Sequence, residues 1–324
     1  MRRNCLISKA NWDQYLYDII TEYDIYAPLL TDENQDYQII QKENVNRIVY
    51  NTPKPTTPLK TFFLPVKENV ALEKEQLKSR IIMGIPSCDL AGLGILDEIY
   101  LAEPYIDIYY KKRRDNTILI GTDCFSLSEH CHCNTYGINP YPEKHHDISL
   151  ALVDEELYLT IQSEKGEAFL KKTDHNGFTR EISDKEFEKV LEKRKNIKAQ
   201  LENKNKHLPD CLKTGELLKN AKDSIWEKYA KTCVSCGACA AICPTCTCFL
   251  LIDRPGFEKV RQLDACQYPA FERVAAGEDP LVKRLIRFRN RYLCKYVWKP
   301  EKFESVACTG CGRCIEACIG NINK

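Results

Sequence analysis

Eight cysteines near the C-terminal end fall in two runs, Cys233-x2-Cys236-x2-Cys239-x3-Cys243-Pro244 and Cys308-x2-Cys311-x2-Cys314-x3-Cys318. This is the spacing that holds cubane 4Fe–4S clusters. Corresponding cysteines in the two runs are separated by one constant interval, so the motif is a repeated module and implies two 4Fe–4S clusters. A cubane takes one thiolate per iron. Three cysteines two residues apart, on a loop that wraps the cluster, supply three of them, and the fourth cysteine of each run reaches the other cluster in two-cluster proteins. The expected ligand sets are therefore crossed: Cys233, Cys236, Cys239 and Cys318 for one cluster, and Cys308, Cys311, Cys314 and Cys243 for the other. Gly237 and Gly312 follow the second cysteine of each run, where a positive φ would let the backbone approach closely. Pro244 fixes the turn after the first run, and Ile319 stands at the matching place in the second.

Zinc is the competing reading. Structural zinc sites pair two C-x2-C knuckles across a longer spacer, which the dense x2, x2, x3 pattern fits poorly. Disulfides need an oxidising compartment. Arg2-Arg3 opens the chain, but Asn4–Ala10 lacks the apolar region of a signal peptide. The chain is expected in the cytoplasm, where 18 cysteines read as metal ligands or redox thiols.

A second cysteine group lies in the N-terminal half: Cys88, Cys124, Cys131 and Cys133, with Asp89, Asp123 and His132 as spare ligands. Cys88 ends one buried apolar run (81–85) and Cys124 another (117–122). If those runs are adjacent parallel strands, both thiols emerge at one sheet edge, where α/β proteins place their sites. Four thiolates could then hold a third iron–sulfur cluster. Zinc, or unliganded buried cysteines, remain open alternatives. Cys246, Cys248 and Cys266 either pack around the clusters or ligate something else. Cys5, Cys211 and Cys294 have no evident partner.

The elements that must position these residues follow from periodicity. Asn11 is expected to cap a helix carrying Trp12, Leu16 and Ile19, and a second helix is expected over Asp89–Tyr100. Residues 51–58 are proline-rich loop, and residues 148–153 and 156–161 read as a hairpin. Ser183-x-x-Glu186 is a capping box opening a long helix, and a further helix is expected over 214–231. Residues 257–296 show no clear strands. The expected fold is α+β: an N-terminal α/β domain over 1–175, then a mostly α-helical two-cluster ferredoxin domain over 176–324 with a helical insertion between the cysteine runs.

At 324 residues, 44 % hydrophobic, 29 % charged and +1 in net charge, the chain has the composition of a globular protein, and nothing in its bulk charge favours nucleic acid. No apolar run reaches the ~18 residues that span a bilayer, so no membrane partner is expected. Residues 283–299 hold seven lysines and arginines and no acid. Such a run is ordinarily a solvated helix face; here it could also dock an acidic partner or raise a cluster potential. Gly92-x-Gly94 lacks the third glycine of a dinucleotide fingerprint, and no catalytic triad is visible.

Several motifs together, PSCDLAGLGILDEIY (86–100), YYKKRRDNTILIGTDC (109–124), CHC (131–133), CVSCGACAAICPTCTCF (233–249), LDACQYPAF (263–271), RFRNRYLCKY (287–296) and CTGCGRCIEAC (308–318), carry a family resemblance. The chain resembles the iron–sulfur subunit shared by cytoplasmic nickel–iron sulfhydrogenases, where it is the beta subunit, and by anaerobic sulfite reductases. The resemblance implies an electron relay between a flavoprotein that handles NAD(P)H and a catalytic subunit, of the nickel–iron hydrogenase or the sulfite reductase type. A structural metal module that carries no electrons is the reading from a different class.

Overall fold

The computed structural model describes residues 3–31, 34–71, 78–303 and 305–322, so that Arg2 of the opening pair lies outside them. Its strands are β1 (Arg3–Ser8), β2 (Asp24–Leu30), β3 (Gln35–Ile39), β4 (Lys67–Asn69), β5 (Arg80–Pro86), β6 (Thr117–Thr122), β7 (Ile148–Val153), β8 (Glu156–Ile161), β9 (Arg180–Glu181), β10 (Phe249–Arg254) and β11 (Glu258–Leu263). Its helices are α1 (Lys9–Ile19), α2 (Ser87–Tyr100), α3 (Ile108–Asp115), α4 (Glu164–Thr173), α5 (Asp184–Asn205), α6 (Cys211–Lys219), α7 (Asp223–Ala230), α8 (Ala238–Ala241), α9 (Arg284–Leu293), α10 (Lys299–Phe303) and α11 (Arg313–Glu316). The chain is α+β.

An eight-stranded sheet runs in the order β3-β2-β5-β6-β7-β8-β1-β9. Its centre, β2, β5, β6 and β7, is parallel, and the flanks are antiparallel. Parallel strands are covered on both faces, which explains their unbroken apolar runs. On one face Ile81, Met83, Ile118 and Ile120 pack with Trp12, Tyr15 and Leu16 of α1 and Phe169 of α4. On the other face Ile82, Ile85 and Leu119 pack with Leu90, Leu93 and Leu96 of α2 and Tyr110 of α3. Strict alternation would put Met83 and Ile85 on one face. A bulge between them shifts the phase, at Gly84 with φ +70°.

The expected strands at 81–85 and 117–122 and the hairpin at 148–161 are present, and residues 51–58 carry no helix or strand. The capping box is also present: Ser183 N donates to Glu186 Oε2 at 3.0 Å, and Ser183 Oγ accepts from Glu186 N at 3.4 Å. Other expectations need correction. Ser8, not Asn11, caps α1, its hydroxyl accepting from Asn11 N at 3.2 Å. The helix expected over 214–231 is two helices, because α6 closes on Asn220 and α7 restarts after Lys222. The stretch between the cysteine runs is not purely helical. It opens with the hairpin β10–β11, turned at Pro255-Gly256 with φ +83° at the glycine, and β4 adds to its edge.

The two halves of the chain interlock. Glu68 of β4 is buried between the guanidinium groups of Arg113 and Arg261. Phe187 and Val190 of α5 pack on the sheet beside Leu6 and Tyr158, while Leu201 of the same helix lies among the cysteines described below.

Candidate metal centre

The two cysteine runs fold into matching loops, each leading into a one-turn helix, and the two helices, α8 and α11, pack together. Gly237 and Gly312 are the residues before those helices and sit at φ +72° and +79°, as their place after the second cysteine requires. Space forbids a side chain as well as φ does: a Cβ on Gly312 would stand 2.5 Å from the His130 carbonyl oxygen, and one on Gly237 would meet the Tyr268 ring.

Cys233, Cys236 and Cys239 line a single cavity together with Cys318, the last cysteine of the other run. Gln267, Phe288 and Arg291 close it. The fourth cysteine of the first run, Cys243, does not line that cavity. It is buried, accepts from Lys295 Nζ at 3.1 Å, and lies within electrostatic reach of Cys311. Lys295 is in turn within electrostatic reach of Cys308. Arg291 is within electrostatic reach of both Cys314 and Cys239.

The electrostatics suit thiolate ligands. A hydrogen bond from the Cys246 thiol, with Lys295 and Lys60 nearby, holds Cys243 well below the ordinary thiol range despite its burial. Lys295 itself is held well above the ordinary range: burial would discharge it, but Cys243 and Cys246 more than offset that. Burial pushes Cys308 up, but the His132 hydrogen bond, Lys295 and Tyr296 bring it down to about 7. The thiolate is the form that binds metal.

The N-terminal cysteines meet here too. β5 and β6 are adjacent and parallel, with Pro86 opposite Thr122, so Cys88 and Cys124 emerge at one edge. Cys88 and Cys133 form a buried contact group with Leu201 and Cys311, and Cys131 packs against it. Cys124 is influenced by both Cys131 and Cys133. Burial raises all of Cys88, Cys124 and Cys133, the last to about 12. The spare ligands are otherwise engaged. Asp89 is clamped by both terminal nitrogens of Arg313 at 2.6 and 2.7 Å, and Asp123 by Arg194 at 2.6 and 2.9 Å. His132 turns to the His130 carbonyl at 2.8 Å and to Cys308. Among the described residues no three His, Cys, Asp or Glu side chains are gathered closely enough to hold a single metal ion.

The basic run 283–299 is not solvated throughout: Lys283 and Arg284 are exposed, but one stripe is buried. Arg287, Arg291 and Lys295 are 5 %, 4 % and 4 % exposed. They recur every fourth residue, on the stripe of α9 and the π-helical turn Cys294–Trp298 that faces the cysteines. None of the three, nor buried Lys60, pairs with a carboxylate among the described residues. The four-residue spacing was the readable signal; Lys60 left none.

Residues 232–322 match the family model of a 4Fe–4S dicluster domain. Over 311 residues the chain is 31 % identical to the sulfhydrogenase 2 subunit beta of Pyrococcus furiosus, a match that spans 92 % of this chain and 89 % of that one. The chain belongs to the sulfhydrogenase beta-subunit family. The family resemblance carried by the cysteine motifs is thereby established, and the ferredoxin-type domain sits where the two runs put it. A chain of the F420-reducing [NiFe] hydrogenase complex from Methanosarcina barkeri is also similar, with a TM-score of 0.39 at 10 % identity over 63 % of this chain and 90 % of that one, too slight a likeness to bear on fold or function. Among the described residues no helix is long and apolar enough to cross a membrane.

Proposed function

We propose that this member of the beta-subunit family is the electron-relay subunit of a hydrogenase-type complex, passing single electrons between a flavoprotein that handles NAD(P)H and a nickel–iron catalytic subunit. Cys233, Cys236, Cys239 and Cys318 would hold one 4Fe–4S cluster. Cys308, Cys311, Cys314 and Cys243 would hold the second, and Cys88, Cys124, Cys131 and Cys133 a third. When bound, such clusters supply reversible one-electron chemistry. The chain's own residues provide the setting. Arg291 and Lys295 place positive charge against the sulfur ligands, which favours the more negative, reduced state. Arg313 and Asp89 lock the second cysteine loop to the first turn of α2. That Cys311 shares one buried group with Cys88 and Cys133 supports neighbouring second and third sets.

The observation that carries this reading is the cavity shared by the first three cysteines of one run and the last of the other. The test is spectroscopy of anaerobically prepared protein. Cys318→Ser should abolish the same reducible iron signal as Cys233→Ser, and Cys243→Ser the same signal as Cys308→Ser. Loss grouped by run, or no reducible iron at all, would overturn the assignment. Co-purification of a nickel-containing partner is expected; a siroheme-containing partner would point to sulfite reduction instead.

A further inference from the structure

We propose that Cys246, Cys248, Cys266 and Cys294 are the ligand set of a further iron–sulfur cluster, separate from the two ferredoxin-type sets and from the N-terminal group. The placement comes from the β10–β11 hairpin. Cys246 and Cys248 lead into β10, and Cys266 follows β11. Phe249 pairs with Leu263 at the open end of the hairpin, and Asp264 N donates to the Cys248 carbonyl at 2.9 Å. The ladder thus continues past the strands and sets Cys248 and Cys266 side by side at the open end of the hairpin, within electrostatic reach of each other. Cys246 and Cys294 both lie within electrostatic reach of Cys248. Cys294 opens the π-helical turn, a rare conformation that recurs at functional sites because the widened turn re-aims its side chains.

Charge supplies the second observation. Lys299, just past the π-helical turn, donates to Thr245 O at 2.8 Å and to Thr247 Oγ1 at 3.4 Å, which ties the turn that bears Cys294 to the loop that bears Cys246 and Cys248. Lys60 donates to the Cys246 carbonyl at 3.2 Å. Arg291 is influenced by Cys246, and its buried Nε has no hydrogen-bond partner. Lys60 and Arg291 are buried, and burial pulls Lys60 toward its neutral form; as cations they require compensating negative charge, and neither makes an ion pair with a carboxylate among the described residues. A cluster held by four thiolates is anionic and would lie among them.

The donor set is all sulfur, which selects iron–sulfur clusters or zinc over harder metals. The spacing, C-x-C followed by two isolated cysteines on separate elements, lacks the paired C-x2-C knuckles of zinc sites. The inference rests on the reading that this protein is loaded with iron–sulfur clusters, and it can fail while that reading stands.

The experiment uses anaerobically purified full-length protein with any co-purifying partners. Iron, acid-labile sulfide and zinc are counted in Cys248→Ser, Cys266→Ser and Cys294→Ser, with Cys5→Ser, buried in β1, as control. Each of the three should lose about two to four irons per chain, one cluster's worth, and should keep the reducible signals that depend on Cys233 and Cys308. Three variants on different elements guard against misfolding of any one. Unchanged iron and sulfide would overturn the proposal, as would zinc present at one per chain and lost in the variants. Absence of the Cys233- and Cys308-dependent signals in the unaltered protein would instead sink the reading on which it rests.

Discussion

The sheet and the cysteine-bearing lobe bury different kinds of matter. Around β5 and β6 the interior is Ile25, Ile81, Ile148 and Leu159 under Trp12 and Tyr15 on one face, and Ile82 and Leu119 under Leu90 and Leu93 on the other. Between the cysteine runs the apolar core is small, formed by Trp226, Ala230, Phe288 and Ile322. Beside it the lobe buries Arg287, Arg291 and Lys295, with Thr245, Gln267 and the sulfur of Cys243 and Cys311. Apolar burial contributes roughly 25 cal/mol per Å² wherever it occurs, so the sheet stands on its own transfer free energy. The lobe cannot. It buries positive charge that, without an anionic occupant, is among the most expensive things a protein can bury.

The sharpest way to break this contrast is to take the iron away. Stripping iron anaerobically should abolish hydrogen-exchange protection across residues 232–322 and leave the amides of β5, β6 and β7 protected. Equal loss in both regions would mean that the sheet also depends on the clusters. The next largest effect should come from the joint between the regions. Arg313 and Asp89 are 1 % and 0 % exposed and grip each other bidentately. Arg313→Ala leaves a buried carboxylate without its partner, and denaturant titration of the iron-loaded protein should show a loss of about 3–5 kcal/mol. Replacing both, with Asp89→Asn and Arg313→Met, should recover much of it, since the penalty is that of an unpaired charge.

A hydrocarbon defect should behave differently. Leu159 of β8 is fully buried against Cys5 of β1 and Leu150 of β7. Leu159→Ala should cost about 2–5 kcal/mol, depending on how far the site collapses. Iron per chain, counted in the same preparation, should not change. If it fell, the sheet would be supporting the clusters more directly than the packing implies.

How legible each region was in the sequence follows the same divide. Strands β5 and β6 were readable because they are buried on both faces and therefore apolar throughout. The crossed ligand sets are an expectation from spacing, and the cavity that holds Cys318 with Cys233, Cys236 and Cys239 supports the first of them. Strand β1 was not, because its polar residues find tertiary partners that sequence does not show: Asn4 accepts from Thr160 of β8 at 2.9 Å, and Arg3 pairs with Glu167 of α4. The hairpin β10–β11 was missed because Leu250 and Leu251 are both left exposed, which removes the alternation that marks a half-buried strand. The basic stripe was misread for a deeper reason. Sequence shows the cations of α9 and a cysteine run after them, which allowed a cluster-tuning reading, but not which helix face is buried, so a buried charged surface looks like a solvated one. Cys294 hid for the same reason, since nothing near it in sequence names its partners.

The smallest expected effect tests how independent the two regions are along one helix. α5 begins on the sheet, where Phe187 and Val190 pack, and ends on the cysteine loop, where Leu201 is buried and Asn205 Nδ2 donates to the Cys131 carbonyl at 3.1 Å. Ser183→Ala removes the cap that satisfies Glu186 N and should cost about 1 kcal/mol. Helix ends fray by the turn, and Arg194 anchors the middle of α5 to Asp123. The loss should therefore stay in the first turn. Hydrogen exchange should quicken only at the amides nearest Ser183, and the iron content should be that of the unaltered protein. A cap removal that released iron would mean α5 transmits strain as a rigid rod past the Arg194–Asp123 anchor, and the division between an apolar half and a cofactor-held half would have to be redrawn along that helix.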